Sequence, residues 1–259
     1  MSSLPRVSIV VPAKNEARNL EIVLPALPDV HQIIVVDGHS ADDTIEVARR
    51  VRPGVEVISQ TRKGKGNALA CGFARVTGDI VVMFDADGSA DPAEIDRFVA
   101  ALLAGADVAK GSRFVAGGGS EDITFIRSWG NAFLNLVTNV LLGTKYTDLC
   151  YGYNAFWARI LPSLELPETR STGGMRWGDG FEIETVLNCR FALLGLKVSE
   201  VPSVERLRIH GVSNLNAVKD GLRVLRTVWD EKRRGARRLA APIAPRPMRS
   251  QHEAFESVA

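Results

Sequence analysis

The stretch IVVMFDADGSADP, Ile80 to Pro92, runs through apolar residues and stops at two aspartates one position apart. A segment apolar on every residue reads as a strand buried on both faces. Such strands belong to parallel sheets covered by helices, and ligands gather outside the carboxyl ends of those strands. Asp85 and Asp87 stand at such an end. Pro92 suits the first turn of a following helix, where a missing N–H costs nothing.

The same alternation extends outward from this stretch. VSIVVPA (Val7–Ala13), QIIVVDG (Gln32–Gly38), VEVISQ (Val55–Gln60) and ADVAKGSRF (Ala106–Phe114) read as further strands. Between them lie helical patterns: Asn15–Leu27 after an asparagine cap, Ser40–Val51 with Ser40 as cap, Gly64–Val76, and Asp91–Gly105. Strands alternating with helices of this length predict an α/β architecture, a mainly parallel sheet with helices on both faces. Lys14-Asn15-Glu16, Asp37 and Asp85/Asp87 then share one edge of the sheet.

The second half is less regular. Phe125–Gly143 reads as a helix with a break near Gly130, and Asp148–Trp157 as strand-like. Gly180–Gly195 reads as a helix stopped by glycine, Leu196–Ile209 as extended, and Asn216–Arg234 as a last helix. We expect one domain over 1–230, with a donor half (1–115) and an acceptor-side half (116–230) that ends in a helical region. Residues 231–259 are expected to form a basic, Pro/Ala-rich disordered tail. Seven of its residues between Lys232 and Arg249 are basic and none acidic, which leaves the body mildly acidic within a net charge of +2. That tail is either a solvated end or a contact to an anionic membrane surface or nucleic acid.

Three cysteines without CxxC spacing suggest neither a zinc site nor a disulfide framework, and a reducing cytoplasm is the expectation. No apolar run approaches the roughly 18 residues that cross a bilayer. Localisation is therefore expected to be cytoplasmic, extending to the inner face of the cell membrane.

Two carboxylates one residue apart at a strand mouth can hold a hard divalent ion together with substrate phosphates. With that pair in place, the motifs resemble a family 2 inverting glycosyltransferase of the GT-A (Rossmann-like) fold, in the dolichyl/polyprenyl-phosphate mannose synthase branch. The matching stretches are VVPAKNE, VVDGHSADDT, GKGNAL, DADGSADPAEI, GSRF, DLCYGYNAF, GFEIETVL and RIHGVSN, in the family's order from Val7 to Val228. The resemblance implies a metal-dependent transfer of mannose or glucose from a nucleotide-diphosphate sugar, GDP-mannose first, to a polyprenyl or dolichyl phosphate. It implies Mg2+ or Mn2+ as cofactor and peripheral membrane contact; no nucleic-acid partner is expected.

By the same resemblance, Pro12, Lys14, Glu16, Asp37, Lys65, Asp85, Ala86 and Asp87 bind the donor nucleotide, and Asp85 and Asp87 hold the metal. Arg113 matches an arginine on a mobile loop over the site, Arg127 a second one there, and Arg208 the arginine of an R-x-x-G-x-S segment facing phosphate. The chain departs from the pattern at Lys14, at Gly38-His39, at Ser89 and at Asn214. Gly38-His39 and Lys14 sit where the nucleoside is held, so the base stays open.

Several readings compete. Lys14-Asn15-Glu16 could cap the first helix, and KGKGNAL could be a surface turn or an anion cradle. The glycine-rich loop Ala116–Asp122 is either a lid or slack. Asp179 and Glu182 could act as general base toward a hydroxyl acceptor, but Asp179 followed by Glu182 is also a capping-box pattern. Glu182 and Glu184, two apart, cannot share a helix face. A phosphate monoester is largely dianionic at neutral pH and attacks without a base. Phe125–Gly143 is either a core helix or an interfacial one beside a lipid. The alternatives to lipid-phosphate transfer are a soluble or glycan hydroxyl acceptor, and a non-catalytic nucleotide-sugar-binding protein.

Overall fold

The computed structural model describes residues 4–170, 173–211 and 217–238. Asn214 and the part of the expected basic tail beyond 238 lie outside the described residues.

The main sheet has seven strands in the order β3-β2-β1-β4-β7-β5-β8. These are β1 (Val7–Ala13), β2 (Gln32–Asp37), β3 (Glu56–Ser59), β4 (Ile80–Met83), β5 (Val108–Ser112), β7 (Asn154–Trp157) and β8 (Val198–Pro202). All neighbours are parallel except β7, which runs antiparallel to both β4 and β5. Two short strands, β6 (Gly119–Ser120) and β9 (Val204–Glu205), pair separately.

Successive strand residues point to opposite faces, and each face has its own core. Ile9, Val11, Ile33, Val35, Ile80 and Val82 pack with α1 (Ala17–Ala26), α2 (Thr44–Val51) and α4 (Ile95–Leu103). Val10, Ile34, Val36, Val81 and Met83 pack on the other side with α3 (Lys65–Phe73) and α6 (Ile183–Leu193). A smaller cluster around Leu134, Tyr146, Leu149 and Val228 joins α5 (Phe125–Leu142) to α6 and α7 (Ala217–Arg238).

The caps differ from the sequence reading. Asn15 does not cap α1; it takes φ 57°, and its Oδ1 accepts from Ala41 N. The loop after β2 caps α1 instead, because Asp42 accepts from Ala17 N and Thr44 Oγ1 from Glu16 N. Ser40 is drawn to Asn15 N, so α2 starts only at Thr44. The expected break near Gly130 is absent, and α5 runs unbroken over 18 residues from its Thr124 cap to Gly143. Helix α7 continues to Arg238 with a non-helical residue at Gly235, so Lys232, Arg233 and Arg234 are helical.

Register sets the functional edge. Ala13 pairs with Asp37, Asp37 with Ser59, and Val10 with Met83. The residues just beyond these ends therefore emerge side by side: Lys14, Gly38, Gln60 and the Phe84–Asp87 segment.

Candidate active site

A cleft of about 860 Å³ opens at this edge. One side takes Pro12, Lys14, Glu16, Lys65, Asp85, Ala86 and Asp87 from the ends of β1 and β4 and the start of α3. Its other side takes Arg113, Arg127 and Arg208 from the end of β5, the first turn of α5 and the segment after β9. The structure thus gathers eleven of the thirteen expected residues, with Glu182, and leaves out two.

Those two are Asp37 and Asp179. The Asp37 carboxylate is turned back on its own loop, where it accepts from His39 N and Ser40 N, and the residue is 2% exposed. Asp179 is sealed from solvent in a two-point pair with Arg62, at 2.7 and 2.8 Å. Burial alone would raise the Asp179 pKa, but Arg62 and the Arg176 N–H more than reverse this and hold it below the usual carboxylate value. A carboxylate so enclosed reaches no substrate, which corrects the expectation of Asp179 as a base.

Asp85 and Asp87 differ in their restraints. Lys65 Nζ lies 2.7 Å from Asp85 Oδ1 and 2.7 Å from Glu184 Oε1, bridging both. Burial disfavours the Lys65 ammonium, and these carboxylates outweigh it, so its pKa sits above the usual lysine value. Asp87 accepts from Ser89 N and Oγ and pairs with Arg208 at 3.0 Å. Burial also raises the pKa of Glu16, whose carboxylate accepts from Asn19.

The segment carrying Arg208 is strapped over the aspartate pair. Ile209 N donates to Asp87 O, Arg206 N to Ser89 O, and Asn19 Nδ2 to His210 O. Gly88, at φ 78°, lets the strap lie close; a Cβ there would stand 2.4 Å from Ile209 Cδ1. The glycines of KGKG serve a similar approach rather than an anion cradle. Gly66 N and Asn67 N donate to Gly180 O and Asp179 O, and a Cβ on Gly66 would stand 1.9 Å from Gly178 O.

Arg113 is anchored rather than free. Asp148 takes its Nε and NH2, Glu205 takes NH1, and the guanidinium lies 4.9 Å from the Tyr151 ring centre. Three of its five N–H donors are thereby used, and two remain. The glycine-rich loop beside it is tied through β6 and β9, with Ser120 Oγ donating to Glu205. Arg127 rests on Asp122 at 2.9 Å.

Glu184 is the residue that sequence reasoning passed over. It was set aside because Glu182 and Glu184 cannot share a helix face. Glu182, however, is the residue before α6 begins, so the helical rule does not reach it, and both carboxylates line the cleft. Glu182 Oε1 accepts from Gly178 N and Gly180 N. Residue type offered Glu184 alongside Glu182 as an acid, but its pairing with Lys65, 119 positions away, leaves no local signal in the sequence.

Residues 8–164 match the model of glycosyl transferase family 2. The chain belongs to this family. As a family 2 glycosyltransferase it is 34% identical over 223 residues to polyprenol monophosphomannose synthase of Mycolicibacterium smegmatis, covering 82% of this chain and 81% of the relative. It is 32% identical over 210 residues to undecaprenyl-phosphate mannosyltransferase of Micrococcus luteus, covering 76% and 82%. Among solved structures it resembles glucosyl-3-phosphoglycerate synthase of Mycobacterium tuberculosis, crystallised with Mn2+, UDP-glucose and phosphoglyceric acid. That match has a TM-score of 0.66 and 25% identity, over 88% of this chain and 79% of the other.

Proposed function

We propose that this glycosyltransferase moves a hexosyl group from a nucleoside diphosphate sugar to a polyprenyl phosphate, inverting the anomeric centre. The observation that carries this reading is the row of Arg113, Arg127 and Arg208 beside Asp85 and Asp87. A donor diphosphate and an acceptor phosphate repel each other, and guanidinium groups offset that repulsion with directed N–H bonds. The printed names of the two mannosyl relatives support the acceptor class. GDP-mannose is the first donor, and UDP-glucose is its rival through the solved neighbour.

Asp85 and Asp87 offer hard oxygen donors and fit Mg2+ or Mn2+ held jointly with a diphosphate. Among the described residues no group of three or more His, Cys, Asp or Glu side chains could hold an ion, so the remaining positions suit phosphate and water. When bound, such an ion offsets the negative charge that grows on the departing diphosphate. Arg127 and Arg208 orient the acceptor phosphate toward the anomeric carbon. Its dianion attacks from the face opposite the leaving group and needs no base.

The acceptor's tail finds support on α5. Phe125, Trp129, Leu136 and Val140 form one exposed apolar stripe, and Ile126 and Phe133 belong both to that surface and to the cleft wall. Arg226, Lys232 and Arg233 of α7 supply cations for an anionic surface. Among the described residues no helix is long and apolar enough to cross a membrane; the proposed contact is peripheral, at the inner face of the cell membrane.

The test is to incubate the chain with GDP-mannose or UDP-glucose, Mg2+ or Mn2+ and undecaprenyl phosphate. The expected product is a β-linked hexosyl lipid phosphate, read by mass spectrometry and anomeric NMR. Arg127→Ala should lower its formation roughly 100-fold. A second reading, a hydroxyl acceptor on a soluble phosphorylated acid, draws on the phosphoglyceric acid in the solved neighbour and on Glu182 in the cleft wall. Transfer to 3-phosphoglycerate that Glu182→Gln abolishes, with none to lipid, would establish it instead.

A further inference from the structure

We infer that the side-chain amide of Gln60 reads the base of the donor nucleotide and helps set which nucleotide is accepted. This rests on the nucleoside diphosphate donor proposed above. Gln60 follows the last residue of β3, and its N–H donates to Asp37 O at 3.0 Å, which fixes it beside the end of β2. It lines the cleft at the end occupied by Pro12 and Gly38, away from Asp87 and the arginines, and it is only 5% exposed.

Its amide has no hydrogen-bond partner among the described residues, and neither of its polar atoms is sealed off. Other amides among the described residues are bonded through at least one end. The half-buried Gln32 accepts from Ser8 and donates to Glu56 and Arg75 O. Asn67 accepts from Thr61 and Arg62 although its Nδ2 has no partner among them, and Asn135 spans Thr147 O and Leu149 N. With the rest of Gln60 buried, its unbonded amide is open only through the cleft and keeps its full hydrogen-bonding capacity for a ligand there. Asp37, expected to meet the nucleoside, does not line the cleft, and Gln60 beside it does.

The chemistry narrows the ligand. A primary amide offers an acceptor beside two donors, matching a base edge with a ring N–H next to a carbonyl. Lys14 and Lys63 line the same end and favour edges carrying carbonyl oxygens over edges carrying only amino groups. Uracil and guanine satisfy both conditions; adenine does not.

Calorimetric titration with UDP, GDP and inorganic pyrophosphate, each with Mn2+, tests this on the unaltered chain and on Gln60→Ala and Gln60→Glu. Gln60→Ala should weaken nucleotide binding roughly 10- to 100-fold. Pyrophosphate should bind within about twofold of the original, which also shows that the variant is folded. Equal losses for nucleotide and pyrophosphate, or no loss for either, overturn the assignment. Gln60→Glu presents acceptors only. Guanine offers two adjacent N–H donors to a carboxylate and uracil a single one between carbonyls, so the preference for GDP over UDP should rise about tenfold or more. An unchanged ratio overturns the assignment too. If the unaltered chain binds pyrophosphate but neither nucleotide, the donor class itself is wrong and Gln60 falls with it.

Discussion

Asp85 and Asp179 carry the same side chain into opposite surroundings. Each precedes a small residue, with a second acid two positions after Asp85 and three after Asp179, so residue type alone makes both candidates. What separates them is Arg62, 117 positions from Asp179 and opposite it in space. No local pattern records that pairing. Asp179→Asn should leave the buried Arg62 charge uncompensated and destabilise the fold by about 3–5 kcal/mol at neutral pH. The folded-state pKa of Asp179 is lowered from 3.8, so its stabilising effect is present above that value and lost as pH falls through the folded pKa. Urea midpoints of the original and the variant should therefore differ widely at pH 7 and converge in strong acid. A gap that stays constant with pH would contradict the pairing.

At the scale of elements, strands β1 to β5 and the helices between them were legible because period and punctuation agree. The direction of β7 was not. Four residues carry no sign of orientation, and β7 is set by β4 and β5 on its two flanks. Gly130 was misread for a related reason: one glycine costs a helix about 1 kcal/mol, and the packing of Leu134 in the α5–α6–α7 cluster lies outside any local window. The exposed stripe of α5 was visible as apolar residues, but only the fold tells which of them face outward. Trp129 and Leu136 do, at 68% and 61% exposure. Replacing both with serine should shift stability by no more than about 0.5 kcal/mol each. It should lower co-sedimentation with anionic vesicles about tenfold or more, at roughly 0.8 kcal/mol for each CH2 withdrawn from the lipid. Undiminished sedimentation would remove α5 from the membrane contact.

For the molecule as a whole, the sugar-transfer class was legible because its motifs, far apart in sequence, all end on one sheet edge. The end expected to hold a nucleoside was least legible, since Asp37 turns inward and Gln60 lines the cleft there instead. Binding there can be read through global stability. At a ligand concentration 100 times its Kd, the accepted nucleoside diphosphate with Mn2+ should add about 2.7 kcal/mol. For a chain of this size that raises Tm by roughly 5–10 °C. Substituting Asp85 and Asp87 together by asparagine should abolish the rise, measured against each protein's own melting point without ligand. A rise that survives would mean that the diphosphate is held elsewhere.

The antiparallel strand in the middle of the sheet also bears on how the chain is made. Strand β5 touches only β7 and β8, both synthesised later, and β4 lacks one neighbour until Trp157 has left the ribosome. A nascent chain ending near residue 115 would carry β5 with no strand to join and β4 as a bare apolar edge. The donor half is thus a region of the finished enzyme and not a piece that can mature first, and translation arrested there should yield a product open to proteases and to chaperones.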